Sequence, residues 1–279
     1  MNPACSKNRY RIDLAYQGTP FDGWQSQPSG KAVQNHLEKA LTIFLREPTR
    51  VVGASRTDTG VHAEHQVAIF DSAVKFDCQR LIRGVNALLA EEIKIWSCAP
   101  ADPDFHPIRD SVAKLYRYRL WLGRTGSPFV RDYVWPVSEQ TDISRLQAAA
   151  QLFQGTHDFK SFCATDSSAK TTIRTIHEIW VKNKNPLVEI YIHGEGFLKQ
   201  MVRSMVGTLV EVGQGRREIE DISAIIEQRD RTFAGLTAPA KGLSLVQIYF
   251  EHQKSCQSIL QHSDQMFSFW IPIDRSNHV

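Results

Sequence analysis

Phe197, Leu198, Met201, Val202, Met205, Val206, Leu209, Val210 and Val212 cover most of the circumference of a helix. The spacing predicts a helix over 197–212 that is largely buried, because an apolar surface on all sides has to be enclosed. Arg203 is the exception. It shares one face with Lys199, Gly207 and Glu211. A guanidinium keeps its charge in any protein environment, and burying it without a partner is costly. Glu211 lies two turns away, beyond the reach of side chains one turn apart. An anion must come from another part of the chain, and Gly207 leaves room for a second backbone to approach.

The best source of that anion is the stretch Gly53-Ala-Ser-Arg-Thr-Asp-Thr-Gly-Val-His-Ala63. It follows the apolar pair Val51-Val52 and precedes the strand-like run from Gln66 to Phe70. Small and turn-forming residues around one acid predict a tight loop that presents Asp58 to a cleft. Arg56, two residues earlier, falls on the same side of an extended loop. An Asp in such a turn also stabilises its own backbone, so the loop alone is compatible with a structural carboxylate. Paired with Arg203, Asp58 would be held ionised and oriented, as a nucleophile or general base requires. A purely structural ion pair would leave the same trace in the sequence.

The remaining elements follow from periodicity. Tyr10, Ile12, Leu14 and Tyr16 alternate with Arg9, Arg11 and Asp13, predicting a half-buried strand. A turn-rich loop from Gly18 to Gly30 leads to a helix carrying Val33, Leu37, Leu41, Phe44 and Leu45, closed by Pro48. A helix over 78–89 and a strand from Ile93 come next, then strands over 112–122, 173–181, 187–193 and 243–250. Further helices are expected over 143–153 and 219–227. Strict strand–helix alternation is lacking, which points to an α+β fold with antiparallel sheet and helices on one face. The irregular segment Pro100 to Pro107 marks a boundary between an N-terminal lobe, 1–105, and a C-terminal lobe, 106–250. The tail 251–279, with aromatics from Phe267 to Trp270, has no assigned role.

Composition narrows the function classes. The 279 residues carry a net charge of +3, so a nucleic-acid partner depends on local clustering of cations. No apolar run has the length of a membrane span, and the first sixteen residues lack the apolar block of a secretory signal. Cys5, Cys78, Cys98, Cys163 and Cys256 are scattered, as expected of reduced thiols in a cytoplasmic protein. No phosphate-binding or dinucleotide-binding glycine motif is present, so no nucleotide cofactor is expected. His62 and His65 lack further ligands, and no metal is expected. Asp58 lacks the second acid two residues later that aspartyl-phosphate chemistry uses, and a partner acid for glycosidase chemistry.

In Lys114-Leu-Tyr-Arg-Tyr-Arg-Leu-Trp121, Tyr116, Tyr118 and Leu120 share one strand face, with Arg117 and Arg119 on the other. Aromatic faces that stack bases beside arginines that meet phosphates make a single-stranded RNA surface. The alternative is an ordinary sheet with tyrosines inward and arginines outward. Arg56, Arg124, Arg131 and Arg174 could extend such a basic surface.

Arg56-Thr-Asp58-Thr-Gly-Val-His-Ala63 resembles the signature of the tRNA pseudouridine synthase A family. So do Tyr16-Gln-Gly18 with Gly23-Trp-Gln-Ser-Gln27, Asp104-Phe-His106, Tyr116-Arg-Tyr118, Met201-Val-Arg203 with Val206-Gly207, and Lys241-Gly-Leu-Ser-Leu-Val246, all in family order. The resemblance implies an isomerase that converts uridine to pseudouridine at positions 38–40 of the tRNA anticodon stem-loop, without cofactor or metal. It implies two α/β lobes of related topology around a cleft, and a cytoplasmic homodimer. Asp58 then matches the catalytic aspartate and Arg203 its basic partner. Tyr116 matches the tyrosine against the target base, and Arg56 the arginine that holds RNA and displaces that base. Thr59 stands where the family usually has Ala. Arg109 comes one place later than the family arginine after His106. The competing reading is a noncatalytic RNA-binding or chaperone protein, or a synthase acting at another RNA site.

Overall fold

The computed structural model describes residues 8–123 and 127–251. Cys5, Arg124, Cys256 and the tail from residue 252 lie outside the described residues.

Among the described residues ten strands and five α-helices alternate irregularly. They are β1 (Asn8–Tyr16), α1 (Val33–Leu45), β2 (Val51–Gly53), β3 (His62–Ser72), α2 (Cys78–Asn86), β4 (Ile93–Pro100), β5 (Ala113–Leu122) and β6 (Trp135–Val137). There follow α3 (Ile143–Gln151), β7 (Gly155–Asp158), β8 (Ile173–Lys184), β9 (Leu187–Gly194), α4 (Met201–Gly213), α5 (Asp221–Gln228) and β10 (Leu243–Tyr249). One sheet runs β4-β1-β3-β10-β5-β9-β8-β7, with β2 added beside β3 and β6 beside β5. Pairing is antiparallel except for β10 with β3 and β5 with β6. The fold is α+β with a mainly antiparallel sheet, as expected.

The closing strand β10 explains how a distant loop meets a distant helix. It lies between β3 and β5, pairing Ser244 with His62 on one side and Leu245 with Tyr116 on the other. The sheet therefore runs unbroken past residues 100–107. The loop carrying Asp58 enters β3, which only β10 separates from β5, the strand carrying Tyr116.

Side-chain alternation gives the sheet two unlike faces. Ile12, Leu14, Tyr116, Tyr118, Ile190 and Ile192 join apolar residues of all five helices in one continuous core. The opposite face carries a smaller cluster with Leu115, Trp180, Tyr191, Val246 and Tyr249. Asp77 and Asp142 cap α2 and α3 by accepting backbone N–H bonds, at 2.7 Å from Arg80 and 2.8 Å from Ser144.

The buried helix is present, but it starts four residues later than its periodicity suggests. Gln200 adopts φ 60° and ends a tight turn closed by the Met201 N–H to Leu198 carbonyl bond of 3.1 Å. Phe197 and Leu198 continue the apolar pattern from outside the helix. From Met201 onward nearly every side chain is enclosed, as the sequence requires. The short strands β6 and β7 have no counterpart among the sequence expectations.

Candidate functional site

The Asp58 loop is fixed from three directions. The Val61 N–H donates to the Asp58 carbonyl at 3.1 Å, closing a turn that places Gly60 at φ 79°. Behind it, the Trp24 N–H donates to the Thr57 carbonyl at 3.1 Å, and the Tyr16 hydroxyl meets Thr57 Oγ1 at 2.8 Å. Gly23 makes that contact possible, since a Cβ there would come within 2.5 Å of the Thr57 carbonyl oxygen. On the β3 side, Gln66 Nε2 donates to the Ser55 carbonyl at 2.7 Å while its Oε1 accepts from the Ser55 N–H at 3.2 Å. Gln66 is wholly buried. Its amide splints the loop to the sheet, a role that no charge or motif in the sequence reveals.

Arg203 reaches this loop from α4. Its Nη1 donates to Asp58 Oδ2 at 3.1 Å, and its Nε to the Ala238 carbonyl at 2.8 Å. The Ala238 N–H returns a bond of 3.1 Å to the Arg203 carbonyl. This strap can lie on the helix because of Gly207, where a Cβ would stand 1.7 Å from the Leu236 carbonyl oxygen. Both inferences from the helix face therefore hold: the guanidinium finds an outside carboxylate, and another backbone comes close at Gly207. Glu211 pairs elsewhere, with Arg217 at 2.5 Å.

The ion pair is not sealed. The Arg203 side chain is 15% exposed and that of Asp58 24%. Asp58 Oδ1 has no hydrogen-bond partner among the described residues. Both residues border an open cavity of about 920 Å³, together with Arg56, Tyr116 and Phe197. Tyr116 leans edge-on to Phe197 with ring centroids 5.0 Å apart, and its hydroxyl meets Ser55 Oγ at 3.0 Å. Burial, eased by the Ser55 bond and reinforced by the Asp58 charge, pushes the Tyr116 phenol up to about 12. It stays protonated at neutral pH. Arg56 is exposed in the cavity and makes no hydrogen bond or ion pair among the described residues.

Six cations line the cavity, namely Arg56, Lys114, Lys170, Arg174, Lys199 and Arg203, against the carboxylates Asp58 and Asp166. The local excess of positive charge suits a polyanion despite the small net charge of the chain. Lys199 and Asp166 pair with each other at 2.6 Å.

One expectation needs correction. Arg117 and Arg119 do not face solvent, and they are not available to phosphates. Each side chain is 2% exposed, and both are neutralised by Glu64 and Glu189, with Arg119 Nε 3.2 Å from Glu189 Oε1. The alternation along β5 is real, but both faces are covered. Arg109 turns onto Asp110 at 2.7 Å and does not border the cavity, and Arg131 lies beside Asp132 at 3.6 Å. His62 and His65 point to different partners, Nδ1 of His62 accepting from the Gly18 N–H at 3.0 Å and Nε2 of His65 lying 3.2 Å from Asp13. Among the described residues no three His, Cys, Asp or Glu side chains group to hold a metal, and no helix is long and apolar enough to cross a membrane.

A family model described as tRNA pseudouridine synthase matches residues 149–251, the part that contains Arg203. Curated relatives match over a longer span. A tRNA pseudouridine synthase A of Pelobacter propionicus is 43% identical over 240 residues, covering 86% of this chain and 98% of the relative. A tRNA pseudouridine synthase A 1 of Protochlamydia amoebophila is 39% identical over 251 residues, covering 88% of this chain and 98% of the relative. One from Acetivibrio thermocellus is 40% identical over 240 residues, covering 86% and 98%.

Proposed function

This chain belongs to the tRNA pseudouridine synthase A family, and from that premise we propose how its cleft isomerises uridine in tRNA. The reaction breaks the N1–C1′ bond, turns the uracil and joins its C5 to C1′. A proton leaves C5 and one is taken up at N1. The base must first leave its stack, at a cost of a few kcal/mol that pocket contacts offset.

Asp58 is the catalytic carboxylate in this reading. Its Oδ1 carries the proposal: Arg203 holds Oδ2 at 3.1 Å, while the other oxygen, on a residue that borders the cavity, has no partner among the described residues. A carboxylate so oriented serves as a nucleophile at the ribose or the pyrimidine ring, or as a base at C2′. Tyr116 packs against the extruded base, its protonated hydroxyl held by Ser55. Arg56, exposed at the rim, fills the space the base leaves and holds the RNA. The lobes 1–105 and 106–250 supply Asp58 on one side and Tyr116 and Arg203 on the other. The target positions are 38–40 of the anticodon stem-loop, and the acting form is a cytoplasmic homodimer, as the family resemblance implies.

Asp58→Asn keeps the shape of the side chain and removes its charge. Pseudouridine formation in tRNA should fall by on the order of 10³-fold or more, with tRNA affinity little changed. Turnover at the wild-type rate would remove Asp58 from the chemistry and favour a noncatalytic RNA-binding role. Mapping pseudouridines in tRNA from cells lacking the protein tests the three positions, and light scattering tests the dimer.

A further inference from the structure

Lys114 and Arg174 stand out among the cleft's cations. Lys114 lies on β5 two residues before Tyr116, and Ala113 and Leu115 belong to the cluster on the opposite face. Lys114 therefore shares the face of Tyr116, about 6.6 Å further along the strand. Its cross-strand neighbour is Gly194 of β9. Gly194 lets β8 close in, since a Cβ there would come within 2.6 Å of the Thr175 carbonyl oxygen. Arg174, next to Thr175, is thereby drawn toward Lys114, and it passes beneath Gly196 with its Nε 3.6 Å from the Cβ position there. Both side chains border the cavity that holds Asp58.

Neither cation has a carboxylate partner among the described residues. Lys114 is half-buried and makes no hydrogen bond or ion pair among the described residues. Among the described residues Arg174 Nη1 donates only to the carbonyls of Thr171 and Ile173, at 3.0 and 2.6 Å. Burial, and then the charge of Arg174, draws the Lys114 ammonium down to about 8. The other half-buried arginine of the cavity, Arg203, has Asp58 opposite it. Two positive groups held together without an acid destabilise the free protein. Such an arrangement persists where a ligand supplies the missing anion.

We propose that Lys114 and Arg174 together seat a phosphodiester of the RNA chain immediately beside the nucleotide held at Tyr116 and Asp58. The ammonium offers a point charge and the guanidinium a planar fork, a combination suited to a tetrahedral anion with two unesterified oxygens. Fixing the backbone there sets the length of chain between the anchored phosphate and the extruded base. The glycosidic bond is thereby placed over Asp58 Oδ1. This site presupposes an RNA substrate and adds which part of it the cleft grips.

The test is a chemical double-mutant cycle in the full-length protein. Lys114→Met should weaken tRNA binding several-fold at low salt and reduce the slope of log affinity against log salt by about 1. Lys114→Arg should restore the slope. A neutral methylphosphonate at one of the two linkages flanking the modified uridine should cost wild-type affinity by a similar factor, and cost the Lys114→Met variant almost nothing. Arg174→Gln should couple to the same linkage. The melting temperature of Lys114→Met should equal or exceed that of the wild type, because an unpaired half-buried charge is removed. Additive losses at both linkages, an unchanged salt slope, or a lowered melting temperature would each overturn the assignment. An active Asp58→Asn enzyme defeats the catalytic reading instead, so the two failures are told apart.

Discussion

Two sets of arginine and carboxylate flank β5, one on each side of the sheet, and they are built to opposite ends. On the far face Arg117 and Arg119 share Glu64 and Glu189, with the arginines 2% exposed and Glu189 3%. Tyr191 adds a hydroxyl bond to Glu189 Oε2 at 3.1 Å. Charge is balanced there, and most of its polar atoms meet one another, Arg117 Nε making an ion pair with Glu189 Oε1 at 3.4 Å without a hydrogen bond of its own. On the cleft face Arg203 and Asp58 are 15% and 24% exposed and share a single bond of 3.1 Å. One carboxylate oxygen is left over, and the surrounding cations outnumber the acids. The same two residue types thus make a structural clamp where they are mutually satisfied and a reactive site where one partner is only held. Satisfaction, more than the presence of a buried arginine, separates the two roles.

The largest expected effect tests that distinction directly. Arg117→Met leaves two buried or part-buried glutamates short of a partner and should cost roughly 3 to 5 kcal/mol of folding stability. The fraction that folds should retain its rate of pseudouridine formation. Arg203→Met should behave in reverse. Water reaches its partner, so the stability loss should be nearer about 1 kcal/mol, while the rate falls on the order of 10²-fold. Denaturant unfolding and single-turnover assays on both variants measure the two quantities. If the effects proved interchangeable, exposure and free valence would not be what sets the sites apart.

Gly207→Ala sharpens the comparison by disturbing the clamp on Arg203 without touching a charged group. A methyl group would sit 1.7 Å from the Leu236 carbonyl oxygen, a backbone atom with no rotamer to escape into. The strap through Ala238 must shift, and with it the 2.8 Å bond that aims Arg203. Overpacking of this kind costs about 1 to 3 kcal/mol. A reduced rate should accompany the stability loss. A variant less stable yet fully active would show that Asp58 alone is enough to place the guanidinium.

How far these features could be read from the sequence depended on whether they carried a physical contradiction. Arg203 in an apolar helix demanded an anion, and that demand found Asp58 across 145 positions. Gly207 announced a close approach in the same way. The Arg117 and Arg119 cluster raised no such alarm, because alternating arginines on a strand look like an exposed face. Their partner Glu64 is 53 positions from Arg117, in a strand with its own unremarkable alternation. Gln66 is uncharged and Lys114 sits in register with its neighbours, so neither stood out until three dimensions put them against the loop and the cleft. The start of α4 differs from its sequence periodicity for a related reason: Phe197 and Leu198 keep the apolar rhythm although Gln200 leaves helical geometry. The strands β6 and β7, of three and four residues, are too short to show a period at all.

The smallest expected effect concerns His62, at the start of β3. His62 is buried, and its Nδ1 accepts the Gly18 N–H at 3.0 Å, so Nε2 carries the proton toward the carbonyls of Asp132 and Lys241, both at 3.0 Å. One side chain thus ties the N-terminal loop to the segments leading into and away from the C-terminal strands. Burial lowers its pKa, opposed by the two carbonyls and by the charges of Glu64 and Asp132, while the ring of Tyr133 packs at 4.9 Å. The folded state therefore favours the neutral imidazole. That contribution to stability is full above the unfolded value near 6.5 and is lost as pH falls from there toward the lowered folded value. In this window stability should drop by up to about 1.4 kcal/mol per pH unit from this group. His62→Gln should flatten that part of the pH–stability curve relative to wild type, whatever it costs at neutral pH. Parallel curves below pH 6.5 would mean that the ring is not held neutral. The bond to Gly18 would then be too weak to link the N-terminal loop to the cleft.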